Sequence, residues 1–215
     1  MSRSSRWWFA TILLVGSLVL GAEGSQAPVL TGPFGLEAGA GREQVEEVLG
    51  ELSPVRPAVF MTSSVPGDWP HLETLSLVIT PNQGLCRLQA TTALFPSAAD
   101  GAEVRRRFAE LQQRLTQSHG EPSLLDTADG KSAGESWMAD LRQKRAALVA
   151  VWNAAGGSEL GFNLASVTLS ARALKDDEAF LTVDYLYTIW DYCRPALEAA
   201  EAAAEAAAKN AEGAP

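Results

Sequence analysis

Two cysteines and two histidines are all that the 215-residue chain contains of these residues. That scarcity excludes most metal and nucleophile chemistry before any pattern is sought. A zinc site needs three or four ligands at defined spacing, and His71 with the nearby Asp68 offers two. No Gly-x-Ser-x-Gly elbow occurs, so a serine nucleophile of the hydrolase type has no place to stand. Phosphate-binding glycine loops are missing as well, since Gly156-Gly157 lacks the required pattern. Positive charge is short too, with 17 basic against 26 acidic residues and a net charge of −9. Such a chain repels phosphate backbones and anionic lipid, which excludes nucleic acid as the expected partner. No cofactor is expected.

Long apolar runs are scarce, and the one present lies at the start. Arg3 and Arg6 precede Trp7–Leu20, an apolar run interrupted by Thr11, Gly16 and Ser17, and small residues follow from Gly21 to Ala27. Charged start, apolar middle and small-residue end make a secretory signal peptide. The run of roughly 14 residues falls short of the ~20 needed to span a bilayer as a helix. Cleavage after Gly24, with Ala22 at the −3 place, assigns residues 1–24 to the leader; the alternative is an uncleaved N-terminal anchor. No cysteine lies in this region to carry a lipid at the cleavage site, so no stable membrane anchor is expected after cleavage. The chain is read as exported, periplasmic or extracellular, with about 190 residues left for one domain. Loss of Arg3, Arg6 and Glu23 moves the charge near −10. In an oxidising compartment the even cysteine pair, Cys86 and Cys193, is expected to form a disulfide.

What is present reads as α+β. Arg42–Leu49 predicts a short helix stopped by Gly50, with Val45, Val48 and Leu49 on one face. Strands are expected at 58–63, 73–80 and 85–91, the last two joined by the turn Pro81-Asn82-Gln83-Gly84, with Cys86, Leu88 and Ala90 sharing a face. A longer helix is expected over 101–118, with Asp100 as N-cap and Val104, Phe108, Leu111 and Leu115 as a buried stripe. Arg105, Arg106 and Arg107 read as a solvated face beside Glu103 and Glu110. His119 reads as a cation at the helix C-terminus. Residues 121–134 read as a polar loop, 135–144 as a short helix with Trp137, Met138 and Leu141 inward. Three more strands are expected at 146–152, 164–173 and 179–187, the middle one turning Ala165, Val167, Leu169 and Ala171 one way. The last turns Leu181, Val183, Tyr185 and Tyr187 one way and Asp184 the other.

The expected fold is an antiparallel sheet backed by helices, in one domain over 25–195. A tandem helix-plus-three-strand repeat with halves at 34–95 and 100–190 is one reading of the element order. Residues 196–215, almost all Ala and Glu, form a helical tail with little apolar surface beyond Leu197.

The stretch Gly39-Ala40-Gly41-Arg42-Glu43-Gln44-Val45-Glu46-Glu47-Val48-Leu49-Gly50 resembles the opening helix of the BamE-like (SmpA/OmlA) envelope proteins, which carry a Gly, a hydrophobic residue, a Ser/Thr cap and a helix ending in Leu-Gly. Here Gly41 stands at the cap place. The beta-lactamase inhibitor proteins are similar in architecture, with helices on an antiparallel sheet repeated twice. The resemblance implies an exported binding or assembly module, not an enzyme, whose partner is another envelope or secreted protein. Trp69, His71 and Asp184 are the candidate interaction residues: an aromatic in a Pro/Gly loop, its neighbouring imidazole, and a strand carboxylate. The alternative is a small secreted hydrolase whose carboxylates, among Asp68, Asp140, Asp184 and Asp191, meet only in the fold.

Overall fold

A computed structural model describes residues 32–127, 136–158 and 160–212. The expected signal peptide, the second half of the expected polar loop over 121–134, and the last three residues of the tail lie outside the described residues. The described chain is α+β. Its strands are β1 (Ser53–Arg56), β2 (Val59–Thr62), β3 (Leu72–Thr80), β4 (Gly84–Thr92), β5 (Phe95–Pro96), β6 (Ser123–Asp126), β7 (Leu148–Asn153), β8 (Leu164–Lys175) and β9 (Glu178–Tyr187). The helices are α1 (Arg42–Leu49), α2 (Ala102–His119), α3 (Trp137–Arg142) and α4 (Trp190–Glu212), with a single 3-10 turn at Pro33–Gly35 and another at Ala154–Gly156.

All strand pairings are antiparallel in one sheet, ordered β1-β2-β3-β4-β9-β8-β7-β6, with the short β5 pairing the start of β9. Each side of the sheet is a four-stranded meander, and the two join where the last strand of one, β4, meets the last strand of the other, β9. The expectation was three strands on each side. The additional strands β1 and β6 are both edge strands of four exposed residues. Neither carries the apolar alternation by which a half-buried strand is recognised.

Alternation builds the core. Leu75, Leu77 and Ile79 of β3, Leu88 and Ala90 of β4, Val167 and Leu169 of β8, and Leu181, Val183, Tyr185 and Tyr187 of β9 point to one side. Val104, Phe108, Leu111 and Leu115 of α2 meet them there, with Val45 and Leu49 of α1 and Met138 and Leu141 of α3. Val48 of α1 stays 45% exposed rather than joining that face. Trp152, fully buried, donates its indole N–H to the Gly120 carbonyl at 2.7 Å, which ties the end of α2 to β7.

Two register irregularities correct the expected faces. Val78 pairs with Arg87 while Ile79 pairs with Leu85, so Cys86 is an extra residue in β4. Leu85 therefore joins Leu88 in the core, and Cys86 falls outside that cluster. In β8 a shift between Leu164 and Ser166 places Leu164 in the core and leaves Ala165 exposed. The β3–β4 turn needs Gly84: its φ is +69°, and a Cβ there would lie 2.0 Å from the Gly39 carbonyl oxygen.

Cys86 and Cys193 form a disulfide, with Cα atoms 6.3 Å apart. It roots α4 against β3 and β4, on the face away from the other helices. Val59 and Val78 are buried outside the main core on that side. The helix begins at Trp190, six residues before the expected tail, and carries Pro195 within it. Glu201 reaches Arg56 of β1 at 2.8 Å, and from Ala202 to Lys209 its residues are exposed. Among the described residues no helix is long and apolar enough to cross a membrane.

Candidate functional site

α2 and the loops beside it bring together an aromatic cleft of about 450 Å³. Its walls are Phe34 in the 3-10 turn, Trp69 in the loop before β3, and Phe162 in the loop before β8; Tyr185 of β9, Arg114 and His119 of α2 complete it. Phe34 packs on Trp69 with ring centroids 5.4 Å apart, and stands edge-on to Tyr185 at 5.8 Å. His119 meets the same Tyr185 ring at 6.4 Å. The Arg114 guanidinium lies over the Trp69 ring, 4.9 Å from its centre.

Backbone strain concentrates here. Phe34 has φ +57° and Phe162 has φ +60°, left-handed values that non-glycine residues rarely adopt. His71, two residues after Trp69, has φ +67°. Such conformations persist where surrounding structure over-determines them, and they cluster at binding sites.

Two largely buried side chains of the cleft keep polar atoms with no protein partner. Tyr185 is 1% exposed and His119 7%. Neither the Tyr185 hydroxyl nor the His119 imidazole has a hydrogen-bond partner among the described residues. Burial holds the His119 pKa below the ordinary histidine value, so the ring is neutral near pH 7. Burial also raises the Tyr185 phenol well above its usual range, so it keeps its proton and remains a donor.

Trp69 lies in this cleft, packed onto Phe34 rather than projecting free. His71 sits behind it: its Nε2 is 2.8 Å from a Glu110 carboxylate oxygen on α2, and that hydrogen bond is the main reason the Glu110 pKa is lowered. His71 is thus paired with Glu110 and not with Asp68. Asp184 is on the opposite face of β9, ion-paired with Arg87 of β4, whose guanidinium also lies 5.9 Å from the Trp190 ring centre. The structure does not bring Trp69 and Asp184 together. The other carboxylates of the hydrolase alternative are dispersed: Asp140 is buried in α3 beneath Arg145, while Asp68 and Asp191 are exposed in separate segments. Among the described residues no three His, Cys, Asp or Glu side chains gather as metal ligands.

The expected helix-start signal also changes. Gly101 is the N-cap of α2, with φ +73°, and its Cα abuts the Trp137 ring, where a Cβ would lie 2.1 Å from a ring carbon. Asp100 still accepts the Ala102 N–H at 3.0 Å, while Glu103 turns to Arg106 and Arg107, which lower its pKa to about 2. Arg105 reaches Asp126 at 2.7 Å. Three consecutive arginines are therefore partnered, as expected of a solvated face. A second groove, about 700 Å³, runs between the start of α1 and the β3–β4 hairpin; it is polar and open, and its Arg42 is bound to Glu46.

Sequence reasoning passed over Phe34, Arg114, Phe162 and Tyr185, and read His119 as a dipole partner. One signal was available for His119: it continues the stripe 104, 108, 111, 115 by a further four residues, and so belongs on the buried face. Comparison with protein-family models, with curated proteins and with solved structures finds no match for this chain.

Proposed function

We propose that the protein is an exported, non-enzymatic binding module whose recognition site is the aromatic cleft of Phe34, Trp69, Phe162 and Tyr185. The observation that carries this reading is an aromatic cleft onto which the Tyr185 hydroxyl and the His119 imidazole open with no protein partner among the described residues. Both have hydrogen-bonding capacity to offer a polar group of a ligand held between the rings. The volume lies in the ~300–1,000 Å³ range of small-ligand clefts. Aromatic walls with a few convergent polar groups are the usual composition of such a site. The leader sequence and the disulfide support export. The resemblance of residues 39–50 to the BamE-like envelope proteins implies the same class of module, with another envelope or secreted protein as the source of the bound group.

The test is a panel of ring compounds, neutral and charged, titrated into the purified protein and followed by NMR. Binding should shift the Trp69 indole N–H signal, assigned by its loss in Trp69→Phe, together with the Tyr185 and His119 ring signals. A panel in which no compound perturbs these three, or in which all bind elsewhere, refutes the reading.

A further inference from the structure

The charge chemistry of the cleft narrows what it takes. Arg114 is half-buried and has no carboxylate partner among the described residues, although 26 acidic residues are present in the chain. On the same helix Arg105, Arg106 and Arg107 all pair with Asp or Glu. Arg114 is instead laid on the face of Trp69, which fixes the guanidinium plane at the cleft and leaves its N–H groups unused.

The other polar groups have the same bias. The Tyr185 hydroxyl can donate, and so can one nitrogen of a neutral His119. Among the described residues no acidic side chain lines the cleft. A ligand with donors alone, such as a cation, would meet Arg114 and no carboxylate. A ligand with an anionic acceptor at one end and a flat apolar body at the other meets every group present.

Resting on the reading of the cleft as a binding site, we propose that it takes an aromatic carboxylate, its ring among Phe34, Trp69 and Phe162 and its carboxylate on Arg114. Arg114 offers two parallel N–H bonds to the two carboxylate oxygens, the strongest geometry available to this pair. Tyr185 and His119 lie further in and supply the remaining donors. The neutral state of His119 means that the ion pair is with Arg114 alone. Two sources present this chemistry: a free aromatic acid, and the carboxy-terminal aromatic residue of another exported protein.

The experiment compares matched acids and amides by isothermal titration calorimetry on the full chain at low salt. The probes are 3-phenylpropionate and 3-phenylpropanamide, and the peptide acetyl-Gly-Gly-Phe with a free or an amidated carboxyl terminus. Each acid should bind about tenfold or more tightly than its amide, since a charge-assisted bidentate contact is roughly twice as strong as a neutral one. Arg114→Gln should remove that preference while leaving the amides' affinity within about threefold, and Arg114→Lys should keep only part of it. Arg114 is half-exposed, so a thermal melt of each variant close to that of the parent shows that the fold is intact. Tighter binding of the peptide acid points to a chain terminus, and tighter binding of the small acid to a free metabolite-sized ligand; either supports the proposal. Acid and amide binding alike in the cleft, or an acid preference untouched by Arg114→Gln, overturns the charge assignment and leaves the cleft as a binding site. If no probe binds while other rings of the panel still shift Trp69, the aromatic carboxylate is overturned by itself; if no ring shifts Trp69, the binding reading falls with it.

Discussion

Replacing both cysteines with alanine, Cys86→Ala with Cys193→Ala, measures what holds α4 to the sheet. The bond closes a loop of 107 residues. For that length the chain-entropy model gives about 4.8 kcal/mol at 25 °C, and native disulfides usually deliver about 2–5 kcal/mol. Both cysteines are fully buried, so loss of the two sulfurs adds a small packing penalty. What remains for α4 is slight: an exposed Arg56–Glu201 pair, worth little in water, and the contact of Trp190 with Arg87. The expected outcome in urea is a loss of about 2–5 kcal/mol with a larger m-value, because an uncrosslinked denatured chain exposes more surface. In a thermal melt this is a fall of about 5–20 °C for a chain of this size. Wild-type protein unfolded with dithiothreitol separates the bond from the packing, since it keeps both sulfurs. Hydrogen exchange should show the amides of 191–201 losing protection first, because the rest of the core does not depend on α4. A loss below about 1 kcal/mol, with those amides still protected, would refute the argument: α4 would then be held by its own packing. Thiol titration of the denatured, unreduced parent must find no free thiol, and two per chain would remove its premise.

Phe108→Ala should cost about 3–5 kcal/mol in urea unfolding, since Phe108 is 2% exposed at the centre of the α2 stripe; a loss near 1 kcal/mol would place that stripe outside the core. Phe162→Gly should change stability by no more than about 1 kcal/mol. The ring is 48% exposed, and glycine relieves the left-handed φ, offsetting the lost contact. Affinity for 3-phenylpropionate should nevertheless fall; a stability loss beyond about 2 kcal/mol would make this ring structural. His119 titrates below its unfolded value, so the unfolded chain binds the additional proton first as pH falls. Stability from this group is complete above pH ~6.5 and declines below it, towards the lowered folded pKa, and His119→Gln should flatten the pH dependence of the urea midpoint between pH ~5 and 6.5. Parallel curves for the two proteins would contradict the buried, neutral assignment.

Periodicity made the central elements legible. Strands β3, β4, β8 and β9 lie within about two residues of their expected bounds because both their faces are distinct, apolar against polar. α1 and α2 were legible from their stripes and their glycine stops, Gly50 and Gly120. The edge strands were not, because Ser53–Arg56 and Ser123–Asp126 are exposed on both faces and their pairing comes from neighbours far along the chain. Bulges were equally hidden. Nothing in Leu85-Cys86-Arg87 announces that Cys86 is an extra residue, yet that shift turns it towards Cys193. The disulfide itself followed from parity and compartment, which need no geometry. The cleft was largely illegible, for its residues come from five separate segments between Gly32 and Tyr185. Only Trp69 was named in advance, on aromatic character and a Pro/Gly loop.

Residues 184 and 185 show why a site is better sought by satisfaction than by residue type. They are consecutive in β9 and so face opposite ways. Asp184 attracts notice in a sequence as a carboxylate among apolar residues, whereas Tyr185 reads as one more core position. In the fold the carboxylate is met by Arg87, whose own pKa is raised chiefly by that hydrogen bond, and the pair has little capacity left for a ligand. Tyr185 is buried more deeply, ringed by Phe34 and His119, and its hydroxyl is left without a partner. Its neighbour Tyr187, two residues on along the same face, donates to the Leu36 carbonyl at 3.2 Å. The chain therefore supplies a partner for one buried phenol and none for the other. The difference between two tyrosines of one strand places a phenol with hydrogen-bonding capacity to spare at the aromatic cleft, where a ligand can reach it.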